Sequence, residues 1–175
     1  MPGWLESSLQ EFERYRTLAE RSFSQVNDSE FFAVSDSESN SIAVIAKHVG
    51  GNLRSRWTDF LTSDGEKPDR DRDSEFIVQT DRQEIMSIWA SGWTAVLDTL
   101  KSLTPADLEK TVIIRSEPHS VPQAVQRSLS HIAYHVGQIV VLARQFRKAD
   151  WQCLSVPRGG SGAFQEAMRA RHKAL

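Results

Sequence analysis

Apolar residues recur at helical spacing in four stretches of the chain. Leu5, Leu9, Phe12, Leu18 and Phe23 are interleaved with Glu, Arg and Gln across residues 4 to 24, the stripe of an amphipathic helix. A polar linker at 35–41, rich in Ser, Asp and Asn that cap helix N-termini, precedes a second face made by Ile42, Ile45, Val49, Leu53, Trp57 and Phe60. Asp81 is placed to cap a third helix bearing Ile85, Trp89, Trp93, Val96, Leu97 and Leu100, which ends near Leu103 ahead of Thr-Pro-Ala-Asp. The longest helix opens at Val121-Pro-Gln and carries Val125, Leu129, Ile132, Val136, Ile139 and Ala143 on one face.

The intervening stretches read differently. Residues 63 to 80 are dense in charge and punctuated by Gly65 and Pro68, so the first reading is a solvated surface connection. Its length also allows it to cover a site. Thr111-Val-Ile-Ile-Arg followed by Ser-Glu-Pro-His-Ser predicts a short extended piece and a turn, a small hairpin before the last long helix. The Gly-rich tail at 156–162 interrupts regular structure, and Phe164 to His172 predict one short terminal helix.

With 175 residues and 39% hydrophobic content, the chain suits one core, and a single domain spanning 1–175 is expected. A net charge of -2, from 21 basic and 23 acidic residues spread along the chain, provides no basic footprint for nucleic acid and no basic face for a membrane. The longest apolar run, residues 138 to 143, falls short of a bilayer span, and the N-terminus lacks a signal-peptide pattern. A cytoplasmic protein is expected. Cys153, the one cysteine, forms no internal disulfide, and its neighbours Trp151, Leu154 and Val156 suggest a packed thiol.

Candidate chemistry centres on histidine. His131 and His135 stand four residues apart, one helical turn, and both turn toward the apolar side of the last long helix. His48 lies in the second helix beside Ile45. Two facing helices can therefore offer three neutral nitrogens to one divalent metal and leave a coordination position open. The four-residue spacing alone is a weak motif, and Ile132 stands where a His-Glu-x-x-His metalloprotease has its glutamate. Asn52 and Arg56 follow His48 at four and eight residues along the same stripe, where they can meet a substrate or, for Arg56, pair with the acidic loop. Gln138 stands one turn beyond His135, within reach of a supporting hydrogen bond. Tyr134 and Trp57 read as core or pocket wall, and His119 and His172 as surface residues in a turn and a tail.

The segments Ala-Lys-His-Val-Gly-Gly-Asn-Leu-Arg-Ser-Arg-Trp (46–57) running on to Pro68, Arg-Asp-Ser-Glu-Phe (72–76), His-Ile-Ala-Tyr-His-Val-Gly-Gln (131–138) running on to Arg144, and Ser-Val-Pro-Arg-Gly (155–159) carry a resemblance. They are similar to the DinB/YfiT-like superfamily of metalloenzymes, in a branch known only as a domain of unknown function. The resemblance covers most of the chain from about residue 40 onward. It implies an all-α, up-down-down-up four-helix bundle with the hairpin as an insert. It also implies that His48, His131 and His135 are the metal ligands, and that the chain forms a homodimer.

By the same resemblance, the activity is that of a divalent-metal-dependent enzyme, a transferase or isomerase using a low-molecular-weight thiol, with zinc or nickel natural to imidazole ligands. A metal-dependent hydrolase would use the same open position on a small-molecule substrate. A metal-binding bundle serving protein interaction or stress response, without turnover, is the reading of another class.

Overall fold

The computed structural model describes residues 3–77 and 81–173. Among these residues, six α-helices and one hairpin follow in chain order: α1 (Trp4–Phe23), α2 (Asp28–Phe32), α3 (Ile42–Trp57), α4 (Arg82–Ser102), β1 (Thr111–Ile114), β2 (Glu117–Ser120), α5 (Val121–Arg147) and α6 (Ser161–Lys173). The four long helices α1, α3, α4 and α5 form the core. Each packs on two others, α3 against α4 and α5, and α1 against α5 and α4. The architecture is therefore all-α with a hairpin insert before the final long helix, as the hydrophobic pattern and the resemblance imply.

Local chemistry sets the helix ends. Ser41 accepts from Val44 N at the start of α3, and Asp81 accepts from Gln83 N and Glu84 N at the start of α4. Ser120 and Gln123 form a reciprocal capping box on α5, with Pro122 in its first turn. Asn27 and Glu30 make another box on the five-residue α2, an element the sequence pattern does not predict because it is too short to show a period. The second apolar face also runs further than its helix. α3 stops at Trp57, Asp59 takes φ 49°, and Phe60 stacks on Trp57 from the turn with ring centroids 4.6 Å apart. α6 begins at Ser161, three residues before the expected start.

Aromatic rings fill the middle of the bundle. Phe12 meets Trp57 edge-on at 5.7 Å, and Phe23 meets Trp89 edge-on at 5.1 Å, both geometries that the ring quadrupoles favour. Trp57 Nε1 donates to Ser128 Oγ (3.1 Å), which ties α3 to α5. Among the described residues, no helix is long and apolar enough to cross a membrane.

Candidate metal centre

Two adjacent glycines in α3 set the depth of His48. A Cβ on Gly50 would stand 2.7 Å from the Ile88 carbonyl oxygen of α4, and a Cβ on Gly92 of α4 would collide with Gly50. A glycine inside a helix costs about 1 kcal/mol relative to alanine, and here it allows backbone-to-backbone packing of α3 on α4. Gly51 faces the other way, where a Cβ would collide with the carboxylate of Glu75. The Gly-Gly pair thus admits a helix on one side and a carboxylate on the other.

Glu75 belongs to the charged loop, in a 3-10 turn at Asp73–Phe76. Lys47 Nζ donates to Ser74 O (2.6 Å) and anchors that turn on α3, while Phe76 packs its ring 5.0 Å from the His48 ring. Further back, Ser55 Oγ donates to Gly65 O and accepts from Lys67 N. The Asp64 carboxylate accepts from Arg115 N and Ser116 N, the two residues of the hairpin turn, whose φ of 54° and 63° suit a two-residue type I′ connection. Gly65 N also donates to Ile113 O (2.8 Å), so the loop and the hairpin are laced together.

His48, His131 and His135 converge, each with one ring nitrogen within 4.8 Å of the others. His131 Nε2 lies 3.2 Å from His48 Nε2 and 3.2 Å from His135 Nε2. The remote nitrogens of two rings are already committed: His48 Nδ1–H donates to Glu75 Oε2 (2.8 Å) and His135 Nδ1–H donates to Gln138 Oε1 (2.9 Å). Those bonds fix the tautomers and leave unprotonated Nε2 atoms facing inward. Lone pairs so directed repel one another and attract a cation. Two imidazole nitrogens at 2.0–2.1 Å from one tetrahedral ion stand about 3.3 Å apart, close to the spacing found here. The cluster can chelate a metal ion.

Burial pushes the His131 imidazolium down to about 3, with the neighbouring His135 and His48 adding to the effect. Burial also lowers His135, partly opposed by its bond to Gln138. Both rings are therefore held neutral, the form that ligates. Behind His48 the charges are dense: Arg70 donates to Glu75 through Nε (2.8 Å) and Nη2 (2.9 Å), and reaches Glu66 at 3.2 Å. Burial alone would raise the Glu75 carboxyl, but the bonds from His48 and Arg70 outweigh it and hold it below its ordinary value. Glu66 also takes Arg56 (3.0 Å) and Arg115 (3.0 Å).

Beside the histidines lies a cavity of about 170 Å³, bordered by His48, His131, Asn52, Arg56, Trp57 and Phe60 among others. Asn52 is buried, and Arg56 pairs with Glu66 of the acidic loop. Gln138 makes its supporting bond on the far side of His135.

Three expectations are corrected. Tyr134 is not among them: it is 64% exposed and outside the core, but it lines an open groove with Gly137, Gln138 and Val141, its ring 5.0 Å from His135. Cys153 is exposed, because the tail runs over the surface after α5. His119 lies on β2 and is largely buried, donating from Nδ1 to Glu117 O and accepting at Nε2 from Arg127. The loop at 63–80, as far as Ile77, is no solvated connection: the Arg70 and Glu75 side chains are 5% and 7% exposed. Residues 78–80 of that loop and the side chain of His172 lie outside the described residues. Glu75, Arg70 and Phe76 are not legible in the sequence, since a charged loop offers no period to mark the residue that turns inward. The signals that do point to them are the Gly-Gly pair after His48 and the run Arg-Asp-Ser-Glu-Phe at 72–76.

Comparison with known families places this arrangement. The family model described as Protein of unknown function (DUF1572) matches residues 2–160, and the chain belongs to that family, part of the DinB/YfiT-like superfamily. No curated protein matches the chain, and no solved structure does.

Proposed function

We propose that this chain is a divalent-metal-dependent enzyme acting on a small molecule, with His48, His131 and His135 as ligands and with thiol transfer or thiol-assisted isomerisation as its reaction class. The observation that carries the reading is the convergence of three Nε2 atoms, two of them on rings whose tautomers are set by Glu75 and Gln138. Imidazole ligands suit zinc or nickel. A bound divalent ion there supplies a Lewis acid that lowers the pKa of a coordinated thiol or water.

The chain's own residues supply the rest. Glu75 and Gln138 orient two rings, Trp57 and Phe60 exclude water from one wall of the adjoining cavity, and Asn52 borders it with an amide able to orient a substrate. The thiol reading is favoured over hydrolysis by the cavity wall itself. Water-activating sites of the His-Glu-x-x-His kind use a carboxylate base, and among the described residues none borders this cavity. A thiol needs no such base once its pKa is lowered.

Metal analysis of purified protein tests the ligand set. Single alanine changes at His48, His131 and His135 are each expected to remove most of the bound metal; equal retention in all three would end the proposal. Turnover with a thiol and an electrophile, abolished by chelation and restored by metal, supports the enzyme. Tight metal binding with no turnover across such pairs would favour a non-catalytic metal-binding role.

A further inference from the structure

The cavity beside the histidines has an uneven charge. Arg56, Arg72, Arg115 and Arg127 all border it, and among the described residues no Asp or Glu does. Their compensation is thin. Glu66 is shared by Arg56, Arg115 and Arg70, while Arg70 is also engaged with Glu75. Arg127 reaches Glu117 only at 3.7 Å, and Arg72 makes no ion pair among the described residues.

Arg56 is the deepest of the four, its side chain 11% exposed, and its Nη1 is buried with no hydrogen-bond partner. A buried guanidinium N–H without an acceptor is costly, so the arrangement stores a demand for one. Burial lowers Arg56 to about 10, with Glu66 opposing and the other arginines adding, which leaves it a cation at neutral pH. Ser128 adds a second donor. Its Oγ already accepts from Trp57 Nε1, so its O–H is available to donate. Apart from Asn52 and the histidines, the remaining wall is apolar: Trp57 and Phe60 stacked, with Ile114 and Ala124. A cavity of about 170 Å³ is close to the size that encloses one benzene-sized ring.

We infer that this cavity binds a small organic anion, a carboxylate on an apolar body no larger than a single ring, with Arg56 at its floor, Arg72, Arg115 and Arg127 at its mouth, and the three histidines beside it. Planar guanidinium forks match a carboxylate, and the stacked Trp57 and Phe60 match a flat body. This names a substrate class for the enzyme proposed above and rests on that reading for its chemistry, whereas the binding rests on the cavity side chains alone.

Calorimetric titration of the full chain, stripped of metal by chelation, tests it with three probes. Benzoate carries both features, benzamide keeps the shape without the charge, and inorganic phosphate keeps the charge without the ring. Benzoate is expected to saturate at one per chain and to bind at least about tenfold tighter than either. Arg56→Gln is expected to weaken benzoate about tenfold or more. Arg127→Gln, on the exposed rim, should weaken it about two- to fivefold and flatten its salt dependence, which keeps the idea testable if the first variant fails to fold. Benzamide or phosphate binding as tightly as benzoate would overturn the inference, as would two arginine variants that bind benzoate like the parent chain. Repeating the titration after zinc loading separates the two ideas. Benzoate binding to a chain that takes up no zinc supports the cavity site and defeats the metal reading. Benzoate binding that appears only with zinc and ignores Arg56 overturns the arginine site.

Discussion

The two sides of the histidine cluster are built on opposite principles. On the α3 side, His48 is buried and backed by Glu75, a carboxylate 27 residues further along the chain that Arg70 grips with two nitrogens. On the α5 side, His131 and His135 are half-buried, one turn apart on a single helix, and His135 is backed by the neutral amide of Gln138 three residues on. One side is charged and assembled across a loop; the other is neutral and comes with any helix of that sequence. The first holds its ring through a carboxylate whose ion pair with Arg70 exists only in the folded chain. The second holds its ring through geometry that local helix formation already supplies.

The largest effect is expected where that ionic assembly is cut. Arg70→Met leaves Glu75 buried with His48 as its only side-chain partner among the described residues, and breaking one member of a buried pair costs about 3–5 kcal/mol. Urea unfolding of metal-free protein measures it, beside Gln138→Ala, for which about 1 kcal/mol or less is expected because a single neutral hydrogen bond is lost. Replacing residues 66–73 with a Gly/Ser linker removes Arg70 as well and is expected to cost at least as much. Equal costs for Arg70→Met and Gln138→Ala would mean that water screens the Glu75 network and that the contrast between the two sides is false.

Metal affinity gives the next step down. Residues that orient a ligating histidine are worth about 10–100-fold in affinity. Glu75→Gln keeps the shape and removes the charge that raises the basicity of His48, so it is expected near about 100-fold, or about 2.7 kcal/mol. Gln138→Ala is expected near about tenfold. Zinc titration against a competing chelator ranks them, and a reversed order would move the dominant support to the α5 side.

Acid should separate the sides by pH window. His131 is held down to about 3 and His135 is lowered, so between the unfolded value near 6.5 and those folded values the native chain binds fewer protons than the unfolded one. Metal-free protein is therefore expected to lose stability as pH falls below about 6.5, on the order of 1 kcal/mol over the first pH unit. Glu75 works in a lower window. Its folded pKa is depressed, so its contribution is present above the ordinary carboxylate value of about 4.5 and is lost as pH falls through the folded one. His131→Asn should flatten the upper part of the unfolding profile and Glu75→Gln the lower part. A profile with no slope between pH 6.5 and 5 would show that the two imidazoles titrate normally.

What the chain reveals in advance follows the same division. The α5 pair, its orientation and the bond from Gln138 are local consequences of helical spacing, and they are legible in His-Ile-Ala-Tyr-His-Val-Gly-Gln. The four long helices are legible for the same reason, since apolar residues repeat with the helical period. Glu75 is not, because it is one of several acidic residues in a loop, and its inward turn depends on Lys47, on Arg70 and on the space left by Gly51. Phe60 hides the end of α3 for a related reason: a ring that stacks on Trp57 from a turn keeps the spacing of a helix that has already ended. Tyr134 shows the limit of residue type as a guide, being aromatic beside a ligand candidate and still turned to solvent.

The smallest effect is expected at the histidine that burial alone would confuse with the others. The His119 side chain is 12% exposed, so burial alone does not set it apart from the three clustered histidines. The difference lies in its nitrogens: Nδ1 donates to Glu117 O at 3.0 Å and Nε2 accepts from Arg127 at 2.9 Å, which leaves no free lone pair for an ion. Its partners, Arg127 and Glu117, are exposed, and such surface contacts contribute about 0–1 kcal/mol. His119→Ala should therefore leave bound metal at the level of the parent chain and change unfolding stability by about 1 kcal/mol or less, measured by metal analysis and urea unfolding on one preparation. Loss of metal in this variant would mean that the ion is held through the hairpin, and the division between a charged α3 side and a neutral α5 side would then describe only the packing of three histidines.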